Sequence, residues 1–385
     1  MTPSTFLILG GYGNTGRPLA RLLLQEADVN LILAGRSLAK AQKAADEWNA
    51  QFPGARVTAA AVEAAQPPSL RAAFQGVQMV VVASSTVRFA GQVAEAALEA
   101  GADYLDVQYA TAKLEALQAL AERITRAGRC FITEGGFHPG LPAALVRFAA
   151  PYFDHLESAN VGSVIKIDWK SLGLSASTLE ELVGEFKDYE TLHFKDGRWQ
   201  KMGLLAMMRP RYMDFSHGFG RGYTMPMFLE EMRALPEMYP ALQETGFFVG
   251  GFNWFVDYFL LPVLFPLLWL PHARGVSLAA RLLRWGLNTF SAPPYGTLLK
   301  LEARGLQNHT PKTLEVTVYH PDGYEITAIP TAACLLQYLD GRIRKPGLWL
   351  QAHVVDPARF MDDLRRMGVE VQITSAPPSG YTQGL

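Results

Sequence analysis

Leu7-Ile8-Leu9-Gly10-Gly11-Tyr12-Gly13-Asn14-Thr15-Gly16-Arg17 decides the fold, because an apolar strand-like run breaks there into glycines and resumes as a helix. Gly10, Gly13 and Gly16 have GxxGxxG spacing. Without Cβ atoms the chain can turn tightly from strand to helix and bring backbone N–H groups close to a pyrophosphate at the helix N-terminus. Alone the spacing is a weak signal, and context gives it weight. Phe6 to Leu9 is a short apolar strand, and Arg17 to Glu26 carries Leu19, Leu22 and Leu23 at helical spacing. Gly10, Gly11, Tyr12, Gly13, Asn14, Thr15 and Gly16 are therefore expected to contact a dinucleotide. A nucleoside-triphosphate loop fits poorly, since Arg17-Pro18 stands where Lys and Ser or Thr would hold phosphate and magnesium.

The next strand, Asn30 to Ala34, ends in Gly35-Arg36-Ser37. An acidic residue at that point would bind a ribose 2′-hydroxyl, whereas a cation accommodates a 2′-phosphate. Arg36 therefore points to NADP, with Ser37 and Lys40 as further phosphate contacts.

Working outward, helices and strands alternate: a helix from Leu38 to about Phe52, a strand from Arg56 to Val62, a short helix from Pro67, and the apolar strand Met79 to Ala83. Ser84, Ser85 and Thr86 follow at that strand's carboxyl end, where doubly wound sheets bind ligands. Helix Phe89 to Ala100, strand Tyr104 to Val107, helix Thr111 to Ala127 and strand Cys130 to Thr133 complete a six-stranded parallel series. Asp106, Gln108 and Tyr109 lie where the fifth strand ends.

Gly135-Gly136-Phe137-His138-Pro139-Gly140-Leu141-Pro142 leaves that series and reads as a hinge. Beyond it, Asp196-Gly197 and Asp322-Gly323 read as hairpin turns, and Thr297–Arg304, Thr313–His320 and Tyr324–Ile329 as antiparallel strands. Thr331 to Leu339 reads as a helix, Asp356-Pro357 as the start of another, and Val369 to Ile373 as an edge strand. The expected domains are 1–136 (dinucleotide binding), 137–330 (substrate binding and dimerisation) and 331–385 (packing back on the first).

Composition sets the outer bounds. A chain of 385 residues, 49% hydrophobic and 18% charged, is a globular protein large enough for two domains. Its formal charge of −1 offers no electrostatic reason to bind nucleic acid. Two cysteines, Cys130 and Cys334, suit a reducing cytoplasm, and a chain that goes straight into its first strand is expected not to be exported. The eight histidines are too scattered to predict a metal site.

The glycine turn, the Ala34-Gly35-Arg36 strand end, Gly101-Ala102-Asp103-Tyr104-Leu105-Asp106 and Gly136-Phe137-His138-Pro139-Gly140-Leu141 together resemble the saccharopine dehydrogenase-like oxidoreductases. The resemblance covers residues 1 to about 150 well, the last sixty or so faintly, and the middle weakly. The elements read above make an α/β protein, a Rossmann-type doubly wound parallel sheet with a second α+β domain containing a mostly antiparallel sheet. The resemblance implies that the first domain binds NADP, the second covers the cofactor and the C-terminal segment packs back on the first. It further implies hydride transfer to or from a C–N bond, imine or secondary amine, of an amino-acid-like substrate; separately, a homodimer is expected. The alternatives are an enoyl-type reductase acting on a hydrophobic acyl substrate, and a lipid-associated NADP-binding protein without turnover.

For the proton, the candidates are Tyr109, which forms YxxxK with Lys113, and His138, an imidazole that titrates near neutral pH in an ordinary environment. Asp106 is expected to fix a cofactor loop by accepting N–H groups. Arg209, Arg211 and Arg221 are candidates for gripping a substrate carboxylate. Between Gly246 and Pro271 nine aromatic residues accompany a single charge, Asp257, and Arg274, Arg281 and Arg284 follow. The uninterrupted apolar part of this stretch, Tyr258 to Leu270, is too short to span a bilayer, so burial, dimerisation, peripheral membrane contact or a wall for a lipid-like substrate are its possible uses.

Overall fold

The computed structural model describes residues 3–169, 183, 190–202, 211–261, 263–264 and 273–376. These fall into two compact units, residues 1–144 with 324–368, and residues 145–323 with 369–385.

The first unit begins with β1 (Ser4–Leu9), α1 (Gly16–Glu26), β2 (Val29–Gly35), α2 (Leu38–Gln51), β3 (Val57–Ala61), α3 (Pro67–Ala73) and β4 (Met79–Val82). It continues with α4 (Ala90–Glu99), β5 (Asp103–Asp106), α5 (Thr111–Arg126) and β6 (Cys130–Thr133), before α6 (Pro142–Ala149) carries the chain out of it. The second unit contains β7 (His155–Lys166), β8 (Leu192–Lys195), β9 (Arg198–Lys201), β10 (Arg211–Asp214), β11 (Arg221–Met227) and β12 (Glu244–Gly250). Helix α7 (Ala273–Phe290) and strands β13 (Gly296–Gln307) and β14 (Thr310–His320) follow. The chain then returns to the first unit as α8 (Glu325–Leu339), β15 (Gly347–Leu350) and α9 (Pro357–Arg366), and ends in the second as β16 (Glu370–Ala376).

Seven parallel strands form the first sheet, in the order β15-β6-β5-β4-β1-β2-β3. The chain runs outward from β1 to β3 on one side and from β4 to β6 on the other. This reversal between β1 and β4 creates the crevice in which such sheets bind ligands. Helices on both sides demand strands buried on both faces, and Phe6 to Leu9 and Met79 to Val82 are accordingly apolar throughout.

Helix α8 corrects the sequence reading. Tyr324–Ile329 was expected as a strand after a hairpin at Asp322-Gly323, because Ile326, Thr327 and Ile329 are β-branched. Instead the helix starts at Glu325, passes through Pro330 and buries residues on every side. A helix that is apolar all round gains its stability from the core around it, and that burial outweighs local preference. Val369–Ile373, expected within the segment returning to the first domain, instead pairs antiparallel with β14 and belongs to the second unit.

The second unit is built on a mixed, mostly antiparallel sheet with the order β10-β11-β12-β7-β13-β14-β16, and β8 and β9 attach beside β12. Among the described strands only β7 and β12 run parallel within it. The β8–β9 hairpin turns at Asp196 (φ 52°) and Gly197 (φ 76°), the left-handed pair that an Asp-Gly turn supplies. Asn308 and His309 (φ 50° and 59°) do the same for β13–β14 without a glycine, so this turn carries a weaker sequence signature. On α7, Ala279, Ala280, Leu283 and Leu287 fall on one helical face and bury against Val256, Leu260 and Leu264.

Asp257 belongs to this cluster's edge. Its carboxylate accepts the Phe252 N–H at 2.8 Å, and burial raises its pKa to about 7. The folded state therefore binds a proton that the unfolded chain releases near 4, so the group costs stability as pH rises from about 4 through 7. Asp257→Asn keeps the carbonyl acceptor and removes the charge. Thermal melts at pH 8 should show the variant more stable than wild type, with the gap narrowing as pH falls through 7 and closing near pH 4; an equal gap at pH 8 and pH 4 would remove the buried carboxylate as its cause.

Candidate functional site

The glycine turn closes on itself through backbone bonds. Gly10 donates to Ala34 O at 2.8 Å, Gly13 to Gly10 O at 2.8 Å, and Arg17 to Gly13 O at 3.0 Å. Gly10 has φ 90°, and a Cβ there would press on Ala83 O at 2.6 Å and Ser84 Cβ at 2.8 Å. A Cβ on Gly16 would overlap the Gly10 carbonyl. These two glycines are thus required by close approach of the turn to its own backbone and to the end of β4. Gly13 differs, since its only near neighbour is Gly10 O at 3.1 Å. The ground in front of it is open.

The start of α1 suits an anion. Thr15 stands at its N-cap without a side-chain capping bond, and no acidic residue lies in the first turn. The N–H groups of Asn14, Thr15 and Gly16, which make no backbone bond among the described residues, thus meet the positive end of the helix dipole beside the open face of Gly13, while Asn14 is exposed next to it. These residues fit a dinucleotide pyrophosphate.

Tyr12 ties this turn to the end of β2. Its hydroxyl accepts the Ser37 N–H at 3.1 Å, and its ring lies where a Cβ on Gly35 would go. Gly11 packs against Ile8 O and Leu33. Ser37 caps α2, its hydroxyl accepting the Lys40 N–H at 3.4 Å. Arg36 lies exposed between Tyr12's two anchors and makes no hydrogen bond or ion pair among the described residues. The guanidinium is available for a ligand.

At the end of β4, the Ser84 and Thr86 hydroxyls are 3.2 Å apart and Ser85 is exposed. Gln108, which the sequence reading passed over, binds this loop from beneath: its amide Nε2 donates to Thr86 Oγ1 at 3.2 Å and to the Ser84 carbonyl. The available signal was a polar residue two positions beyond the end of β5.

Asp106 and Lys113 form a wholly buried ion pair at 3.0 Å. Lys113 also donates to Gln108 O at 2.7 Å and Thr133 Oγ1 at 2.6 Å, while Asp106 accepts from Thr133 Oγ1 at 2.7 Å and the Gln108 N–H at 3.1 Å. All three ammonium donors are thereby used. This corrects the YxxxK reading: Tyr109 precedes α5, which starts at Thr111, so the two side chains do not share a helix face, and Lys113 serves Asp106. Asp106 is likewise an internal anchor, with its carboxylate consumed beneath the loop.

The turn from Gly135 to Gly140 is held by the returning chain. Thr331 Oγ1 donates to Gly135 O at 2.6 Å, and Gln351 Nε2 donates to Gly136 O at 3.2 Å and Gly140 O at 3.4 Å. His138 precedes a cis Pro139 and lies against Phe137, with ring centroids 4.8 Å apart. Burial lowers its pKa to about 4. The expectation that it titrates near neutrality is therefore corrected: at pH 7 its imidazole is neutral.

The arginines expected to grip a carboxylate do not converge. Arg209 lies outside the described residues. Arg211 pairs with Thr224 and Arg221 with Asp214 across the β10–β11 ladder, which puts the two arginines on opposite faces of the sheet. Arg211 is held by Glu244 at 2.8 Å and Glu302 at 3.2 Å, and Arg221 lies over the Tyr212 ring. Among the described residues there is no cluster of metal-ligating side chains.

Residues 6–132 match the family model described as saccharopine dehydrogenase NADP binding domain. A search of curated proteins finds no match. Among solved structures, saccharopine dehydrogenase (L-Glu forming) from Saccharomyces cerevisiae is similar over 97% of this chain and 100% of its own, with a TM-score of 0.70 at 15% identity. A dehydrogenase from Chromobacterium violaceum aligns over 95% of this chain and 94% of its own, with a TM-score of 0.45 at 12% identity. Residues 6–132 are thus similar to the NADP-binding domain of saccharopine dehydrogenases, and the chain as a whole shares its fold with the yeast enzyme.

Proposed function

We propose that this protein is an NADP-dependent oxidoreductase that transfers hydride to or from the C–N bond of an amino-acid-like substrate. The observation that carries the cofactor part is the open face of Gly13 beside an uncapped helix N-terminus, with the exposed Arg36 at the end of β2. The whole-chain likeness to a saccharopine dehydrogenase supports the substrate part.

In this reading Gly10 to Gly16 and the first turn of α1 bind the pyrophosphate, and Arg36 with Ser37 holds the 2′-phosphate. Gln108 fixes the Ser84–Thr86 loop, which borders the nicotinamide half of the crevice. When bound, the nicotinamide supplies or accepts the hydride. His138, neutral at pH 7, orients substrate by hydrogen bonding and does not act as an imidazolium acid. Accordingly, rate profiles of wild type and His138→Gln between about pH 6 and 8 should run parallel. An inflection near 6.5 present only in the wild type would show His138 titrating.

The testing experiment is a fluorescence titration with NADPH and with NADH, followed by turnover assays pairing amino acids with keto acids. NADPH preference and oxidation dependent on both partners are expected. Binding without imine turnover, but with turnover of an enoyl thioester, would transfer the reading to a hydrophobic acyl substrate, which the exposed aromatic residues of the second unit favour.

A further inference from the structure

Among the described residues, six of the ten exposed large hydrophobic side chains, Trp254, Tyr258, Phe259, Val263, Leu278 and Trp285, come from one stretch of the second unit. Scattered apolar residues need no explanation, but these are contiguous. Trp254 meets Phe259 edge-on at 6.0 Å and Phe290 at 5.5 Å; Phe255 stacks on Phe290 at 4.1 Å and meets Trp285 at 5.3 Å. The rings make one plate, on which Trp254, Phe259 and Trp285 remain 57%, 60% and 51% exposed.

Helix α7 extends the plate. Its face carrying Ala279, Ala280, Leu283 and Leu287 is buried, whereas Leu278 and Trp285, two turns apart, point outward with Arg281 between them and Arg284 alongside. Both arginines are exposed and make no ion pair among the described residues. From 251 to 290 the only acid is Asp257, which is turned inward onto the Phe252 N–H. Among the described residues of 251–290 the surface is thus aromatic and cationic, without an exposed carboxylate.

That charge pattern chooses the occupant. A second copy docked through this face would set cationic surface against cationic surface with no acid to pair it. Lipid headgroups supply the missing anions, and tryptophan and tyrosine rings settle at headgroup depth. We propose that this face docks on the surface of an anionic lipid bilayer, with Trp254, Phe259 and Trp285 entering the headgroup layer and Arg281 and Arg284 meeting lipid phosphates. The contact is peripheral, and no helix among the described residues is long and apolar enough to cross a membrane.

The test is flotation of the full-length protein with vesicles of phosphatidylcholine alone and of phosphatidylcholine containing about one-quarter phosphatidylserine. Wild type should float with the anionic vesicles and far less with the neutral ones. Arg281→Glu with Arg284→Glu should lower partitioning into anionic vesicles about 10-fold or more, Arg281→Lys with Arg284→Lys should retain it, and Trp254→Ser with Trp285→Ser should weaken binding to both. NADPH affinity should be unchanged in every variant, which separates folding damage from lost docking. Wild type remaining with the unbound protein for both vesicles would overturn the proposal, as would charge reversal without effect. A dimer dissociated by the tryptophan substitutions, with no vesicle binding, would assign the face to a second copy.

Discussion

Replacing Arg36 with aspartate should weaken NADPH binding about 100-fold while leaving NADH binding within a few-fold of wild type. A charge-assisted hydrogen bond contributes about 1.5–3 kcal/mol, and reversal of the charge adds repulsion of the 2′-phosphate, so two decades is the natural scale. Specificity arises because NADH carries no group there for aspartate to repel, and its ribose hydroxyl can even donate to the new carboxylate. The geometry supports a local effect. Arg36 is exposed and without a protein partner among the described residues, while Ser37 on one side and Gly35 on the other are fixed by Tyr12. Titration of both nucleotides against Arg36→Asp reads this directly. Equal losses would mean that the substitution disturbs the turn as a whole, and no loss would release Arg36 from the 2′-phosphate.

The glycine turn and the strand end were legible in the sequence because their chemistry is local. Gly10, Gly16 and Arg36 lie within one β-α-β unit, and the turn requires its glycines wherever the rest of the chain goes. The Asp196-Gly197 hairpin was legible for the same reason. What failed depends on partners distant in sequence. Thr331 to Leu339 was legible as a helix, but nothing in Tyr324 to Ile329 indicates its first turns, which burial in the first unit's core stabilises. Arg211 and Arg221 look alike in sequence, and only the ladder register separates them onto opposite faces. Lys113 has a tyrosine four residues before it, yet its partners are Asp106 and Thr133 on two strands.

That misplaced lysine carries the other large prediction. Lys113→Met should destabilise the first unit by about 3–5 kcal/mol, because it leaves the Asp106 carboxylate buried with its countercharge removed. Adding Asp106→Asn, which keeps an acceptor for the Gln108 N–H while removing the charge, should recover part of that loss, so the double variant should be more stable than Lys113→Met alone. The same network holds the backbone of Gln108, whose side chain holds the Ser84–Thr86 loop, so weakened NADPH binding should accompany lost stability. Tyr109→Phe supplies the contrast. If Lys113 is an anchor, the phenol has no lysine to lower its pKa, and the variant should retain turnover within a few-fold. Urea unfolding together with kcat distinguishes the two roles. A Lys113→Met protein of wild-type stability that has lost turnover, matched by an equal loss in Tyr109→Phe, would restore the pair as the proton donor and require the lysine to leave Asp106 during the reaction.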